Sequence, residues 1–276
     1  MEEYRIVGFC VRTYSHSKFE VAELVAARRS RRVSVSVCIP ARDEERTLAG
    51  IVSPIHKELT TAGGGVALVE EIVVVDDGSV DSTAGVASDA GARVITRTGG
   101  EGGKGEAMRF ALSESDGDLV VFLDGDVESF SVHFVTGLLG PLLLDEEPVA
   151  LVKGFYERPF HGERSGGGRV TELMARPLID LLFPDLTGVR QPLAGESAAP
   201  RWVLEKTGID GGYGAELGLL VDVAALFGIG SIVQVDLGVR VHRNRPLEEL
   251  RHQSTDVLRA ALGRADLGAR LRDTSP

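Results

Sequence analysis

Leu119-Val120-Val121-Phe122-Leu123-Asp124-Gly125-Asp126 decides the reading of this chain. Five consecutive apolar residues, too few for a helix, read as a strand buried on both faces. Two carboxylates on a tight turn end it. The same pattern recurs upstream. Val33–Ile39 is a short apolar run closed by Pro40, and Ala41-Arg42-Asp43-Glu44-Glu45 follow. Glu71–Val75 is a second run, stopped by Asp76-Asp77-Gly78-Ser79. Between these strands, Glu44–Leu59 reads as a helix with an acidic first turn. Asp81 or Ser82 can cap a helix to about Ala90, Arg93–Thr96 reads as a strand, and Glu106–Ser113 as a helix. Strand and helix alternate with short connections, which predicts right-handed βαβ units and a parallel sheet with helices on both faces. Ligands of such sheets bind beyond the carboxyl ends of the strands, and here all three of those ends are acidic.

The flanking sequence is less regular. Ser17–Arg29 reads as a helix with Phe19, Ala22, Val25 and Ala26 on one side. Val149–Phe155 reads as a strand. Gly166-Gly167-Gly168 opens a helix that carries Val170, Leu173, Met174, Leu178, Leu181 and Leu182 at helical spacing, with a kink expected at Pro177. Gly214–Phe227 is a further helix, Ile232–Val235 a strand and Pro246–Leu262 a terminal helix.

The chain has 276 residues, 43% of them hydrophobic and 26% charged, which is enough for a sizeable core. Thirty basic side chains against 41 acidic ones give a net charge of −11. So acidic a chain is a poor nucleic-acid or anionic-membrane binder. No apolar run reaches the length of a membrane helix, and Met1–Cys10 lacks the pattern of a secretory signal, so the cytoplasm is the expected compartment. Cys10 and Cys38 cannot form a disulfide framework or a zinc cage unaided, and Cys38 reads as a plain buried thiol.

Several motifs carry chemistry. The carboxylates of Asp124-Gly125-Asp126 suit a hard divalent cation that keeps open positions for phosphate oxygens and neutralises a diphosphate leaving group. Gly99–Gly105 fails the phosphate-loop pattern but can deliver Lys104 to a phosphate from a flexible loop. No G-x-G-x-x-G follows the first strand, which removes the main support for a nicotinamide enzyme. Gly166–Thr171 places backbone N–H groups, the Arg169 guanidinium and a hydroxyl at a helix start, a grip for a small phosphate or carboxylate. Arg240-Val241-His242-Arg243-Asn244-Arg245 is a basic cluster in an acidic chain. Glu216 is an acid among apolar neighbours at a helix start.

Read together, PARDEE, VVVDDGSVDST, GKGEAM, VVFLDGD, LVKGFYERP, GGGRVTELMARP, QPLAGE, GYGAELGLL and LGVRVHRNRP occur in this order. The series resembles the retaining glucosyl-3-phosphoglycerate and mannosyl-3-phosphoglycerate synthases of actinobacteria, nucleotide-sugar glycosyltransferases with the A-type fold. The resemblance spans about Val33 to Leu262. It implies a GDP- or UDP-hexose donor, 3-phosphoglycerate as acceptor, Mg²⁺ or Mn²⁺ as cofactor, and a homodimer that works without a membrane or nucleic acid. Pro40, Ala41, Arg42, Glu44, Asp77 and Lys104 would hold the nucleotide with Asp124 and Gly125. Asp126 and His242 would share the metal. Gly168, Arg169, Thr171 and Asn244 would grip the acceptor, and Tyr213, Glu216 and Arg240 would line the sugar pocket. Lys104, Asp126 and Glu216 would be the catalytic groups. On that reading, residues 1–32 are a helical extension, 33–130 the donor half and 131–276 the acceptor half of one domain. An inverting polysaccharide-type transferase is a weaker fit: Arg201-Trp202 is present, but Ala198 stands where that type has glutamine. A non-catalytic nucleotide-sugar sensor is disfavoured by intact Asp124, Asp126 and Lys104.

Overall fold

The computed structural model describes residues 11–97, 102–158, 168–241 and 247–265. Its frame is one eight-stranded sheet. In chain order the strands are β1 (Arg12–Ser15), β2 (Val35–Ala41), β3 (Glu71–Asp76), β4 (Arg93–Thr96), β5 (Leu119–Phe122), β6 (Leu151–Glu157), β7 (Ser197–Pro200) and β8 (Ile232–Val239). They lie side by side in the order β1-β8-β6-β7-β5-β2-β3-β4. All neighbours pair in parallel except β7, which runs antiparallel to both β5 and β6. The mostly parallel sheet is as expected.

Helices α1 (Val21–Arg31), α2 (Leu48–Leu59), α3 (Thr83–Asp89), α4 (Lys104–Glu114), α5 (His133–Leu144), α6 (Arg176–Leu182), α7 (Arg201–Thr207), α8 (Ala215–Phe227) and α9 (Leu247–Arg264) connect and cover the strands. The pleat divides the core in two. Val35, Val37 and Ile39 of β2 join Leu48, Ile51, Val52 and Ile55 of α2 and the α5 side chains on one face. Cys38, one residue out of phase, joins Met108 of α4 and Leu217 and Leu220 of α8 on the other. Burial of Cys38 pushes its thiol up to about 12, so it is inert at neutral pH.

The structure corrects several local expectations. The N-terminal helix starts at Val21, not Ser17, because the Ser15 hydroxyl accepts from Ser17 N–H and holds a short 3₁₀ turn over His16–Lys18. Leu24 is therefore the helix residue that fills the core, with Phe19 buried ahead of it. Arg12–Ser15 adds an unexpected edge strand. Pro40 lies inside β2 rather than ending it, two positions past Cys38, the last residue paired with β5, where its missing N–H interrupts nothing. The helix after it begins at Leu48, since Glu44–Thr47 form turns. Asp81, not Ser82, supplies the cap, accepting from Thr83 N–H at 3.0 Å.

The largest departure follows Gly168. Thr171–Ala175 is a π-helical turn, with Arg176 N–H bonded to the Thr171 carbonyl. This widened turn shifts the phase, so Thr171, Ala175, Ile179 and Leu182 face inward while Leu173 and Leu181 are exposed. It also absorbs the irregularity expected of Pro177, which lands in the first turn of α6. No helix among the described residues is long and apolar enough to cross a membrane.

Gly140 is helical and needs no unusual backbone. It is glycine because the Phe19 ring sits where a Cβ would stand, with ring carbons at 2.3 to 2.5 Å. Gly140→Ala is expected to lever Phe19 and the N-terminal segment off α5 and cost about 1–3 kcal/mol in urea unfolding. An unchanged midpoint would show that the segment is not part of the cooperative fold.

Candidate active site

The parallel strands deliver their carboxyl ends to one edge of the sheet. β2 brings Pro40 and Ala41, β3 Asp77, β5 the Asp124–Asp126 turn, β6 Tyr156 and Arg158, and β8 Arg240. Because β7 runs the other way, the residues before it, Gly195 and Glu196, reach the same edge. A cavity of about 390 Å³ opens there. Its wall includes Pro40, Ala41, Arg42, Glu44, Asp77, Lys104, Asp124, Gly125, Asp126, Gly168, Arg169, Thr171, Tyr213, Glu216 and Arg240. Every described residue to which the resemblance gives a role thus lines this one cavity. His242 and Asn244 fall outside the described residues.

Two loops form one rim of the cavity and lace into each other. Asp43 takes a left-handed backbone (φ 57°) and accepts from Val80 N–H at 2.8 Å, while its own N–H donates to Ser79 Oγ at 3.0 Å. Glu44 N–H donates to Thr83 Oγ1 at 2.8 Å, and Ser82 N–H to Glu45 Oε2 at 2.9 Å. Thr47 Oγ1 donates to the Gly125 carbonyl at 2.6 Å, which ties the acidic turn to the start of α2. The Asp77 carboxylate receives Arg97 Nε and Gly103 N–H, both at 2.8 Å, and so anchors the residues that lead into α4. Lys104 is the first residue of that helix rather than a loop residue.

The floor is a buried charge network. Lys104 Nζ lies 2.5 Å from both Asp124 Oδ1 and Glu216 Oε1. Gly195 permits this approach, since a Cβ there would stand 2.0 Å from Asp124 Oδ1 and 2.4 Å from Lys104 Nζ. Arg240, 3% exposed, directs Nη2 to Asp124 Oδ2 at 2.8 Å and to Asp126 Oδ1 at 2.6 Å. Its Nη1 faces Glu196 Oε1 at 3.1 Å and donates to the Tyr156 hydroxyl. Burial alone would disfavour these charges, but they compensate one another. Lys104 is held well above the ordinary lysine value by Asp124 and Glu216, and Asp124 well below the carboxylate range by Lys104 and Arg240. Burial pushes the Glu196 carboxyl and the Tyr156 phenol up.

Sequence reasoning missed the deeper layer. Glu196, Tyr156 and Lys153 were assigned no role, although QPLAGE and LVKGFYERP contain them. Arg158 also lines the cavity, donates to the Tyr156 hydroxyl at 2.8 Å and lies over its ring. Leu250, Gln253 and Val257 of α9 close one side. The available signal was a lysine in the middle of an apolar strand, Leu151–Phe155.

The donor chemistry fits a hard cation. Asp124 and Asp126 present oxygen ligands at the cavity, and no group of three potential metal-ligating side chains is assembled among the described residues. The Nε atoms of Arg158 and Arg240 are buried without a hydrogen-bond partner among the described residues, as are those of Arg12 and Arg28 away from the cavity.

Comparison with known proteins decides the family. Residues 36–168 match the glycosyl transferase family 2 pattern. The glucosyl-3-phosphoglycerate synthase of Mycolicibacterium smegmatis is 43% identical over 92% of this chain and 84% of its own length. The chain belongs to this synthase family. Its fold is therefore the A-type glycosyltransferase fold, and the protein is a hexosyltransferase. Among solved structures, the Mycobacterium tuberculosis glucosyl-3-phosphoglycerate synthase with Mn²⁺, uridine-diphosphate-glucose and phosphoglyceric acid superposes with a TM-score of 0.81 at 42% identity, covering 92% of this chain and 87% of that one. The mannosyl-3-phosphoglycerate synthase of Rubrobacter xylanophilus gives 0.86 at 38% identity, covering 96% and 84%.

Lys153 gives a pH test of the buried network. Burial lowers its ammonium to about 8, with its Nζ donating to the Ala194 carbonyl. A folded value below the unfolded one means the cost of the buried charge is full below pH 8 and is relieved as pH rises toward 10.5. Wild type is expected to gain on the order of 1–2 kcal/mol relative to Lys153→Met between pH 7.5 and 9.5 in urea titrations. Parallel pH profiles would show that Lys153 is not buried with its charge.

Proposed function

We propose that this protein transfers a hexose from a nucleoside diphosphate sugar to a hydroxyl of 3-phosphoglycerate, with retention of anomeric configuration. One observation carries the reading: the Asp124–Asp126 turn, Lys104 and the Arg169 helix start line a single cavity. In this reading a metal-diphosphate site and an anion grip share the walls of one cavity. The M. tuberculosis structure, solved with UDP-glucose and phosphoglyceric acid, makes UDP-glucose the first donor to test. The Rubrobacter relative, a mannosyl-3-phosphoglycerate synthase, makes the mannose donors the second.

In this reading Pro40, Ala41, Arg42, Glu44 and Asp77 line the nucleoside end. Asp126 and His242, beside Asp124, would hold Mg²⁺ or Mn²⁺, which would supply charge neutralisation to the departing diphosphate. Lys104 adds a fixed ammonium beside the same oxygens, where negative charge grows toward the transition state. Glu216 and Tyr213 orient the sugar. Gly168, Arg169 and Thr171, with Asn244, hold the acceptor phosphate, and the leaving phosphate oxygen accepts the acceptor hydroxyl proton on the same face. Asp124 and Glu216 are both committed to Lys104, which supports a front-face path over a covalent enzyme nucleophile. The homodimer implied by the family belongs to the same proposal and is read by light scattering.

The deciding experiment crosses UDP- and GDP-linked glucose and mannose with 3-phosphoglycerate and glycerate. Products are read by mass, and the anomer by NMR. Phosphorylated product from at least one donor, with glycerate a poor acceptor, is expected. Hydrolysis only, or an inverted anomer, overturns the reading. Asp126→Ala is expected to cut turnover by about a thousandfold, near 4 kcal/mol, and wild type should lose activity in EDTA. Full activity in EDTA would remove the metal from the scheme. Arg169→Lys keeps the charge but loses the planar fork, so the acceptor KM should rise on the order of tenfold, about 1.4 kcal/mol, with little change in donor KM. A change confined to the donor KM would move Arg169 out of the acceptor site.

A further inference from the structure

Glu196 is fully buried, does not line the cavity, and has no part in the chemistry above. Its surroundings define its charge. The Tyr156 hydroxyl oxygen accepts from Arg158 Nη2 at 2.8 Å and from Arg240 Nη1, so its one hydrogen is left for Glu196 Oε2, 2.8 Å away. Oε1 lies 3.1 Å from Arg240 Nη1 and makes no hydrogen bond among the described residues, as it would have to if it carried a proton. A carboxyl group whose Oε2 accepts from the Tyr156 hydroxyl and from Arg240 Nη1 at 3.3 Å, beside a guanidinium and with no acceptor in reach, is a carboxylate.

Arg240 is shared between this carboxylate and the front of the site. Nη1 serves Glu196 and Tyr156, while Nη2 serves Asp124 and Asp126. One guanidinium cannot neutralise three carboxylates. The part of its charge held by Glu196 is withheld from the acidic turn, which stays electronegative enough to attract a cation. We propose that Glu196 is a positioning residue that sets the divalent-cation affinity of the Asp124–Asp126 turn, by engaging the far side of Arg240. Lys153, buried under the same cluster, acts with the opposite sign: its charge is felt by Glu196, Glu216 and Asp124 alike. The inference rests on the reading of Asp124–Asp126 as the cation site.

The test is equilibrium binding of Mn²⁺ to the full chain with UDP at pH 7, with free Mn²⁺ read by electron paramagnetic resonance and no turnover involved. Glu196→Gln keeps shape and removes charge, and should weaken Mn²⁺ binding on the order of tenfold. Glu196→Asp, which keeps the charge, should stay within about threefold of wild type. Lys153→Met should tighten binding severalfold. A merely structural role would move the Gln and Met variants in the same direction or leave the affinity alone, and either result overturns the proposal. If Glu196→Gln does not fold, Lys153→Met decides: tighter binding supports the proposal, and unchanged or weaker binding overturns it. If wild type binds no Mn²⁺ with UDP, the cation reading itself falls and takes this inference with it.

Discussion

The Arg240 guanidinium is the element on which the rest of the site depends. It sits 3% exposed between Asp124 and Asp126 in front and Glu196 and Tyr156 behind. A buried charge of this kind depends on its ion-pair partners, and removing one leaves an uncompensated ion at a cost of about 3–5 kcal/mol. It also binds the sheet together at its functional edge. Arg240 comes from the end of β8, Tyr156 from β6, Glu196 from the approach to β7, and the two aspartates from the end of β5. Four strand ends are thereby fixed against one another by one planar group. The antiparallel insertion of β7 makes this possible, because only a reversed strand brings its preceding residues to the carboxyl-end edge.

A second layer of fixation governs the loops. Parallel sheets place their ligands on loops, which are mobile unless tied down. Here the rim loops are tied by side-chain-to-backbone bonds, from Asp43 to the 79–80 segment and from Glu45 and Thr83 across the same gap. Asp77 draws Gly103 against Arg97, which sets where α4 starts and so where Lys104 points. The acids at the strand ends therefore act twice, as scaffolding for the loops and as the electronegative lining of the cavity.

Legibility in the sequence followed physical rule. Four of the five strands before residue 130 were readable because the sandwiched ones are apolar on both faces and each ends at a turn. The cavity wall was readable for the same reason, since ligands gather at those ends. Arg12–Ser15 was not, because it is a short edge strand with alternating exposure. Ser197–Pro200 was not, because Ser-Ala-Ala-Pro has no strand propensity and is a strand only through its neighbours β5 and β6. The 171–182 phase error came from the π-turn, which no hydrophobic period announces. Glu196 and Lys153 were invisible as a pair because burial of opposite charges is a tertiary fact, and sequence spacing carries no trace of it.

The charge balance of the floor suits the two proposed substrates differently. A nucleoside diphosphate sugar carries about two negative charges, which a divalent cation cancels, so the pair arrives nearly neutral. A floor in which Lys104, Lys153 and Arg240 almost offset Asp124, Asp126, Glu196 and Glu216 can hold that pair without a large field of either sign. The acceptor brings its own phosphate and carboxylate and has no metal to cancel them. It needs cationic groups of its own, and the cavity wall includes the Arg158 and Arg169 guanidinium groups beside the Gly168 helix start. On the proposed reading, a chain of net charge −11 serves two anions by meeting one with a balanced, cation-accepting floor and the other with the guanidinium groups of the cavity wall.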